Sequence, residues 1–144
     1  MTTTVTITQI DCVNKSDLDA HDEVWLFAQC DGGDGIRMPT QPLQTQSMAP
    51  PPKKANDPDD STWSLNPHMV LRFEYGANLT LYEQDDILNL AYTDILGNAR
   101  FSIDQMPSSP LTVRNGSYDD ESDNSHEDSI DDATTEYTIH FTVS

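Results

Sequence analysis

The sequence has 144 residues, 35% of them hydrophobic, which predicts a single domain with one modest core. Its formal net charge of −18, from 25 acidic and seven basic residues, excludes nucleic acid as a partner and disfavours an anionic membrane. No run of about 18 apolar residues predicts a membrane span.

Alternation of apolar and polar residues predicts most of the secondary structure. In chain order, it predicts strands at 3–10, 24–30, 69–75, 79–83, 98–103 and 136–143, with weaker ones around Trp63 and at 110–114. A helical turn or two fits only residues 86–93. We therefore expect an all-β fold, an antiparallel Greek-key β-sandwich of about eight strands, as one domain over residues 1–144.

Three stretches do not alternate. Residues 31–36, DGGDGI, predict a turn, and residues 38–61 predict a long Pro- and Gln-rich excursion, extended or polyproline in part. Residues 117–134 hold eight acids in 18 positions, a composition typical of disorder. Cations or a neighbouring chain would order such a loop by neutralising its charge.

The two cysteines, Cys12 and Cys30, lie in or beside predicted strands, and their spacing does not match a metal-binding motif. The first interpretation is two buried free thiols on neighbouring strands. The second interpretation is a single disulfide.

Two clusters of acidic residues stand beside predicted strands. The first cluster contains Asp17, Asp19, Asp22 and Glu23, and the second contains Glu83, Asp85, Asp86 and Asp94. If the two loops are neighbours, roughly five to seven carboxylates meet and repel one another. Calcium suits such a site because it takes about six to eight oxygen ligands in flexible geometry.

The same acids have a simpler interpretation as surface and turn residues. Asp94 begins an Asp-x-x-Gly sequence, in which the Asp side chain commonly caps a turn. Asp57, Asp59 and Asp60 form another candidate cation site, although Asn-Asp-Pro-Asp-Asp is also an ordinary turn sequence. The acids of 117–134 are either solvated or a further cation-binding region.

Several short motifs resemble the C2 domain family. An acidic loop precedes Asp-Glu-Val-Trp-Leu-Phe at 22–27, and Leu-x-Leu-Tyr-Glu-x-Asp at 79–85 is followed by Asp-Ile-Leu-Gly at 94–97. The closing strand is similar to the Tyr-x-Leu-x-Tyr-x-Val strand of bacterial C2-like domains, here Tyr137, Ile139, Phe141 and Val143. The resemblance implies a calcium-binding β-sandwich whose Ca²⁺ ligands are Asp17, Asp22, Glu83, Asp85 and Asp94. The further candidate metal ligands are Asp19, Glu23, Asp86, Asp57, Asp59 and Asp60.

The first functional hypothesis is a calcium-binding module that acts in adhesion or self-assembly. The sequence contains no Gly-rich phosphate loop, Gly-x-Ser-x-Gly or His-Glu-x-x-His, so we expect no catalytic residues and no enzyme activity. The expected partners are further copies of the chain or neighbouring protein subunits. Exposed strand edges at 3–10 and 136–143 would pair between chains.

Two alternatives remain open from the sequence. One is a calcium-dependent carbohydrate-binding domain that uses Trp25, Trp63, Tyr75 and Tyr82. The other is a metal-free acidic surface domain adapted to high salt. The start, MTTTVTITQI, lacks the features of a signal peptide, so the location is unassigned. An extracellular or surface location is favoured, since the missing features do not exclude secretion.

Overall fold

The computed structural model describes residues 1–15, 21–84, 93–114 and 135–144. Within these ranges the chain forms nine β-strands and no helix. The strands are β1 (Thr3–Asn14), β2 (Asp22–Cys30), β3 (Gly35–Met38), β4 (Gln46–Met48), β5 (Thr62–Phe73), β6 (Gly76–Gln84), β7 (Thr93–Ser102), β8 (Leu111–Arg114) and β9 (Glu136–Val143).

Two antiparallel sheets form a sandwich. The four-stranded sheet has the order β5-β1-β9-β8, and the five-stranded sheet has the order β3-β2-β6-β7, with β4 also paired to β2. The chain passes from one sheet to the other after β1, β4, β5 and β7. The predicted all-β antiparallel sandwich is confirmed.

Parts of the strand pattern differ from the prediction. β5 is a single strand of 12 residues, and it joins the strand predicted around Trp63 to the one predicted at 69–75. β3 and β4 overlap the stretches predicted as a turn and an excursion, and both pair with the same edge of β2. The helical turn predicted at 86–93 lies outside the described residues, apart from Thr93, which begins β7.

Alternate side chains of both sheets fill the space between them. Along β2, Val24, Leu26 and Ala28 are fully buried, while the residues between them are only partly buried. Along β9, Tyr137 and Ile139 are fully buried in the same way. Burying a side chain of this size stabilises a fold by about 1.5–3 kcal/mol. This inner layer is therefore the main favourable contribution to folding.

The sandwich has two distinct ends. At one end of the sandwich, β1 and β6 finish and β2 and β7 begin, and we call this the acidic end. The turn between β5 and β6 lies at the opposite end. β1 lies between β5 and β9, so the expectation of a free strand edge at 3–10 is wrong. One edge of β9 pairs with β1, and on its other edge residues 136–139 pair with β8. Of the edge predicted to be free at 136–143, only the part after Ile139 extends beyond the pairing with β8.

Neither Cys12 nor Cys30 forms a disulfide bond in the structure. Cys12 is buried in β1 and Cys30 is half-buried at the end of β2. The two strands belong to different sheets, and the residues lie toward opposite ends of the sandwich, so the expectation of neighbouring strands is wrong. Burial raises the pKa of the Cys30 thiol, and the nearby Asp31 charge adds to that effect.

Candidate functional site

Strand register brings three of the predicted ligands to the acidic end of the five-stranded sheet. Glu83 on β6 lies directly opposite Asp94 on β7 and opposite Val24 on β2. Asp22 stands two residues before Val24, which places it diagonally from Glu83 on the same face. Directly opposite Cβ atoms lie about 5 Å apart, and diagonal neighbours about 7–8 Å. The three carboxylates therefore share one face and one end of this sheet.

Asp22 points into the space between the sheets and is only 1% exposed. The Tyr137 hydroxyl, from the other sheet, donates a hydrogen bond of 2.6 Å to Oδ2 of Asp22. Nζ of Lys15 lies 3.9 Å from Oδ1 of Asp22. Burial raises the pKa of Tyr137 far above its ordinary range, and the Asp22 carboxylate raises it further. The phenol therefore stays protonated and remains a hydrogen-bond donor.

Glu83 and Asp94 differ in their exposure to solvent. Glu83 is only 5% exposed and shares its face with the fully buried Val24, while Asp94 is exposed. A buried carboxylate is unfavourable unless a cation or hydrogen-bond donors compensate it. The pair therefore extends from the boundary of the core to the surface, so a small cation could reach it from solvent.

Glu23 lies on the other face of β2 from Asp22. Its Oε2 accepts a hydrogen bond of 2.9 Å from the Thr45 hydroxyl, and its Oε1 accepts one of 2.7 Å from the Ser47 hydroxyl. Both oxygens thus hold the chain around β4 against β2. The structure does not bring this predicted ligand together with Asp22, Glu83 and Asp94.

The second candidate cation site consists of Asp57, Asp59 and Asp60 in the loop before β5, and the three side chains do not share a contact partner. Asp59 accepts hydrogen bonds from the hydroxyl and the N–H of Ser61, and these bonds lower the pKa of Asp59. Oδ2 of Asp60 lies 2.8 Å from Nε2 of His21. Asp57 is exposed. These contacts are those of a turn that leads into β5, so they support the turn interpretation.

Four predicted ligands, Asp17, Asp19, Asp85 and Asp86, lie outside the described residues. In the described ranges, no three His, Cys, Asp or Glu side chains are grouped closely enough to hold a metal ion. The donor chemistry nevertheless fits calcium, since Asp22, Glu83 and Asp94 offer only hard oxygen atoms.

Sequence reasoning missed two residues of this site, Lys15 and Tyr137. The sequence analysis interprets Tyr137 only as part of the closing strand. Its hydroxyl group donates a hydrogen bond to Asp22, which lies 115 residues earlier in the sequence, so no local pattern indicates this contact. Lys15 carried a visible signal, because it is the one basic residue between positions 1 and 36 and it directly precedes the first acidic cluster. Its side chain is only 7% exposed, which a sequence pattern does not reveal for a lysine.

Aromatic residues on the outer face of the five-stranded sheet pack on one another. The Trp25 and Tyr82 rings are stacked with centroids 4.4 Å apart, and the Arg37 guanidinium lies 4.6 Å from the Trp25 centroid. Because β3 and β6 flank β2 on opposite sides, these two contacts cover both faces of the indole. Trp63 belongs to the core at 8% exposure, and Tyr75 is exposed at the opposite end.

Comparisons with known proteins give no family assignment. No protein-family model and no curated protein matches the sequence. A solved structure of human GIVD cytosolic phospholipase A2, in complex with methyl gamma-linolenyl fluorophosphonate inhibitor and terbium chloride, is similar at 12% identity with a TM-score of 0.42. The match covers 99% of this chain and 17% of that chain, and so weak a similarity carries no functional argument.

The part of the chain that the structure describes has no helix long and apolar enough to span a bilayer. The architecture shown by the strands themselves is an antiparallel β-sandwich, with three of the predicted oxygen ligands at one end.

Proposed function

We propose that this chain is a non-enzymatic calcium-binding β-sandwich module that acts in adhesion or self-assembly. The supporting observation is the register that collects Asp22, Glu83 and Asp94 at the acidic end. The described residues that flank the segments 16–20 and 85–92 in the sequence, namely Lys15, His21, Gln84 and Thr93, lie at this end. Asp17 and Asp85, predicted as ligands from the resemblance to C2 domains, belong to these two segments.

The negative charge of the chain suggests how calcium would help two subunits to associate. At a net charge of −18, two copies repel each other strongly at short range. A divalent ion bound at the acidic end would reduce that repulsion at this end of the sheet. Calcium would thus both stiffen the loops at this end and permit a neighbouring subunit to approach it.

The carbohydrate-binding alternative receives no specific support from the described aromatic residues. Sugar rings stack on open aromatic faces, whereas both faces of Trp25 are covered and Trp63 lies in the core. Tyr75, although exposed, lies at the end away from the carboxylates. We therefore retain the adhesion or assembly module as the proposed function.

Thermal unfolding in calcium, magnesium and chelator at fixed ionic strength tests this proposal. A ligand that binds only the folded protein stabilises it by mass action and so raises its melting temperature. At a ligand concentration 100 times the Kd, the free energy of unfolding increases by about 2.7 kcal/mol. We expect a calcium-specific rise in the wild type and a smaller rise in Asp94→Asn. Dynamic light scattering on the same samples reports whether calcium also increases particle size.

A matched control is Asp104→Asn. Asp104 is exposed just after β7 at the opposite end, so this change removes the same charge far from the carboxylates of the acidic end. We expect Asp104→Asn to keep the full response to calcium. Equal responses in the two variants, or no calcium-specific rise in the wild type, would contradict calcium binding at the acidic end.

A further inference from the structure

We propose that the end of the sandwich opposite the acidic end is a contact surface for a second copy of this chain. The inference goes beyond the proposed function, because this contact needs no metal and uses none of the candidate calcium ligands. It starts from three exposed apolar side chains, which we call the apolar tip. They are Tyr75 at 69% exposure, Ile103 at 51% and Val143 at 47%.

Tyr75 and Ile103 are neighbours in the fold. Tyr75 lies in the turn between β5 and β6, and Ile103 directly follows β7. The N–H of Ile103 donates a hydrogen bond of 3.2 Å to the backbone oxygen of Tyr75. Single exposed apolar residues are normal on a protein surface, whereas a contiguous group of them marks an interaction site.

Ile103 and Val143 continue the core toward solvent. Phe101 of β7 and Phe141 of β9 pack edge to face between the two sheets, with ring centroids 5.0 Å apart. Both rings are buried, and both strands run toward the opposite end. Two residues farther along each chain stand Ile103 and Val143, which are half exposed. In the described part of the chain, the apolar layer between the sheets therefore reaches the surface at this end.

The turn that carries Tyr75 is held in place before any partner arrives. The Asp31 carboxylate accepts hydrogen bonds from the backbone N–H groups of Glu74, Tyr75 and Gly76. These bonds fix the backbone of the turn and leave the Tyr75 side chain exposed. A partner that covers the ring therefore orders little additional backbone, which favours binding at a small surface.

The distribution of charge favours a second copy as the occupant. Twelve of the 25 acids lie in the segments 16–20, 85–92 and 115–134, and the described residues that flank these segments lie at the acidic end. Around the apolar tip, charges of both signs are present. They are Arg72, Glu74, Arg100 and Asp104. In a two-fold contact, an arginine of one copy can face a carboxylate of the other.

An end-to-end dimer also keeps the two acidic ends apart. β1 and β5 have 12 residues each, which at about 3.3 Å per residue gives a length of about 40 Å. Contact through the apolar tips therefore separates the acidic ends by roughly 80 Å, about ten times the Debye length at physiological salt. The net charge of −18 on each copy thus opposes this contact far less than a side-by-side one.

Sedimentation velocity and small-angle X-ray scattering in chelator test the inference, at protein concentrations from about 10 μM to about 1 mM, where small interfaces associate. The variants are Tyr75→Ser and Ile103→Ser. The matched control is Val13→Ser, since Val13 is 43% exposed on β1 near the acidic end. We expect the wild type and Val13→Ser to form a dimer about twice as long as the monomer. Each tip variant should dimerise at least about tenfold more weakly, because its side chain enters a symmetric contact twice.

A wild type that stays monomeric at the highest concentration overturns the inference. So does a side-by-side dimer, or a dimer that Tyr75→Ser and Ile103→Ser form as readily as the wild type. Flotation of monomeric protein with phosphatidylcholine vesicles, lost in Tyr75→Ser, would assign the apolar tip to a lipid surface and also overturn it. Circular dichroism melting checks that the variants fold, and if neither does, the shape of the wild-type particle decides.

The outcomes are independent of the proposed calcium function. The association measurements contain chelator, so loss of calcium binding does not affect them. Conversely, we expect Tyr75→Ser to keep the calcium-specific rise in melting temperature, because the turn between β5 and β6 lies away from the acidic end. A dimer without a calcium response would support the inference alone, and a calcium response without a dimer would overturn the inference alone.

Discussion

At the scale of the residue, Asp31 organises the end of the sandwich opposite the candidate site. Its carboxylate accepts hydrogen bonds from the backbone N–H groups of Glu74, Tyr75 and Gly76 at 2.8, 2.8 and 3.1 Å. These three bonds, that of Glu74 foremost, hold the pKa of Asp31 below its ordinary value. Asp31 also adopts a left-handed backbone with φ of 52°, which Asp tolerates better than most residues. One side chain thus joins the end of β2 to the turn between β5 and β6.

We expect Asp31→Gly to lower the melting temperature at neutral pH by a few degrees, because it removes three hydrogen bonds to the carboxylate while relieving the left-handed backbone. A lowered folded-state pKa means that this stabilisation is present above the ordinary Asp pKa, about 3.9, and is lost as pH falls through the folded value. Melting curves of the two proteins should therefore converge below about pH 4. A gap that stays constant with pH would show that the carboxylate charge is not responsible.

The individual contacts of the candidate site were the least accessible to prediction. The acidic clusters beside predicted strands make Asp22 and Glu83 candidates, but the burial of both depends on strands that meet across long sequence distances. Glu23 was grouped with Asp22 because the two are adjacent, whereas adjacent residues of a strand face opposite sides of the sheet. Once 22–30 is known to be a strand, that alternation assigns Asp22 inward and Glu23 outward.

At the scale of the element, Gly97 sets the spacing of the two sheets where β7 passes β8. A Cβ atom at Gly97 would lie 2.6 Å from Cγ2 and 2.9 Å from Cβ of Val113. Val113 is 6% exposed, and its β-branched side chain has little rotamer freedom. The close approach therefore requires glycine, whereas the sequence analysis interprets this position only as the end of an Asp-x-x-Gly turn sequence.

Gly97→Ala should destabilise the protein by about 1–3 kcal/mol, the usual effect of forcing an extra methyl group into a packed interior. Urea unfolding measures the free energy, and the same substitution in a Val113→Ala background is the control. Alanine at position 113 removes the 2.6 Å clash with Cγ2 and keeps the 2.9 Å contact with Cβ, so Gly97→Ala should be less destabilising there, though not neutral. Equal losses in both backgrounds would mean that the two residues are not coupled.

The strands were predictable where one face is buried and the pattern is regular. β5 was divided in two because Asn66, Pro67 and His68 are all exposed and interrupt its alternation. The reason lies in its partner: Ile7 pairs with Met69 and Gln9 with Ser64, so β5 has extra residues at this irregularity. β3 and β4, with four and three residues, are too short for a period-two pattern and depend on pairing with β2.

At the scale of the whole molecule, acidic and basic residues are distributed differently. Twelve of the 25 acids lie in the segments 16–20, 85–92 and 115–134, whereas all seven basic residues lie in the described ranges. General repulsion among the acids is screened over about 8–10 Å at physiological salt. A calcium site depends instead on ligands within contact distance of the ion. Monovalent salt should therefore weaken the general repulsion among the acidic residues, whereas calcium should act only on the carboxylates that bind it.

The eight acids between 119 and 132 allow the two effects to be separated. The test variant replaces them with the corresponding amides: Asp119, Asp120, Glu121, Asp123, Glu127, Asp128, Asp131 and Asp132. With eight fewer negative charges than the −18 of the wild type, its melting temperature in chelator should depend less on sodium chloride. Its calcium-specific rise at fixed ionic strength should be unchanged, because Asp22, Glu83 and Asp94 are intact. If that rise disappears, the metal binds to the acidic segment rather than to the acidic end, and if the salt dependence stays the same, the repulsion arises elsewhere in the chain.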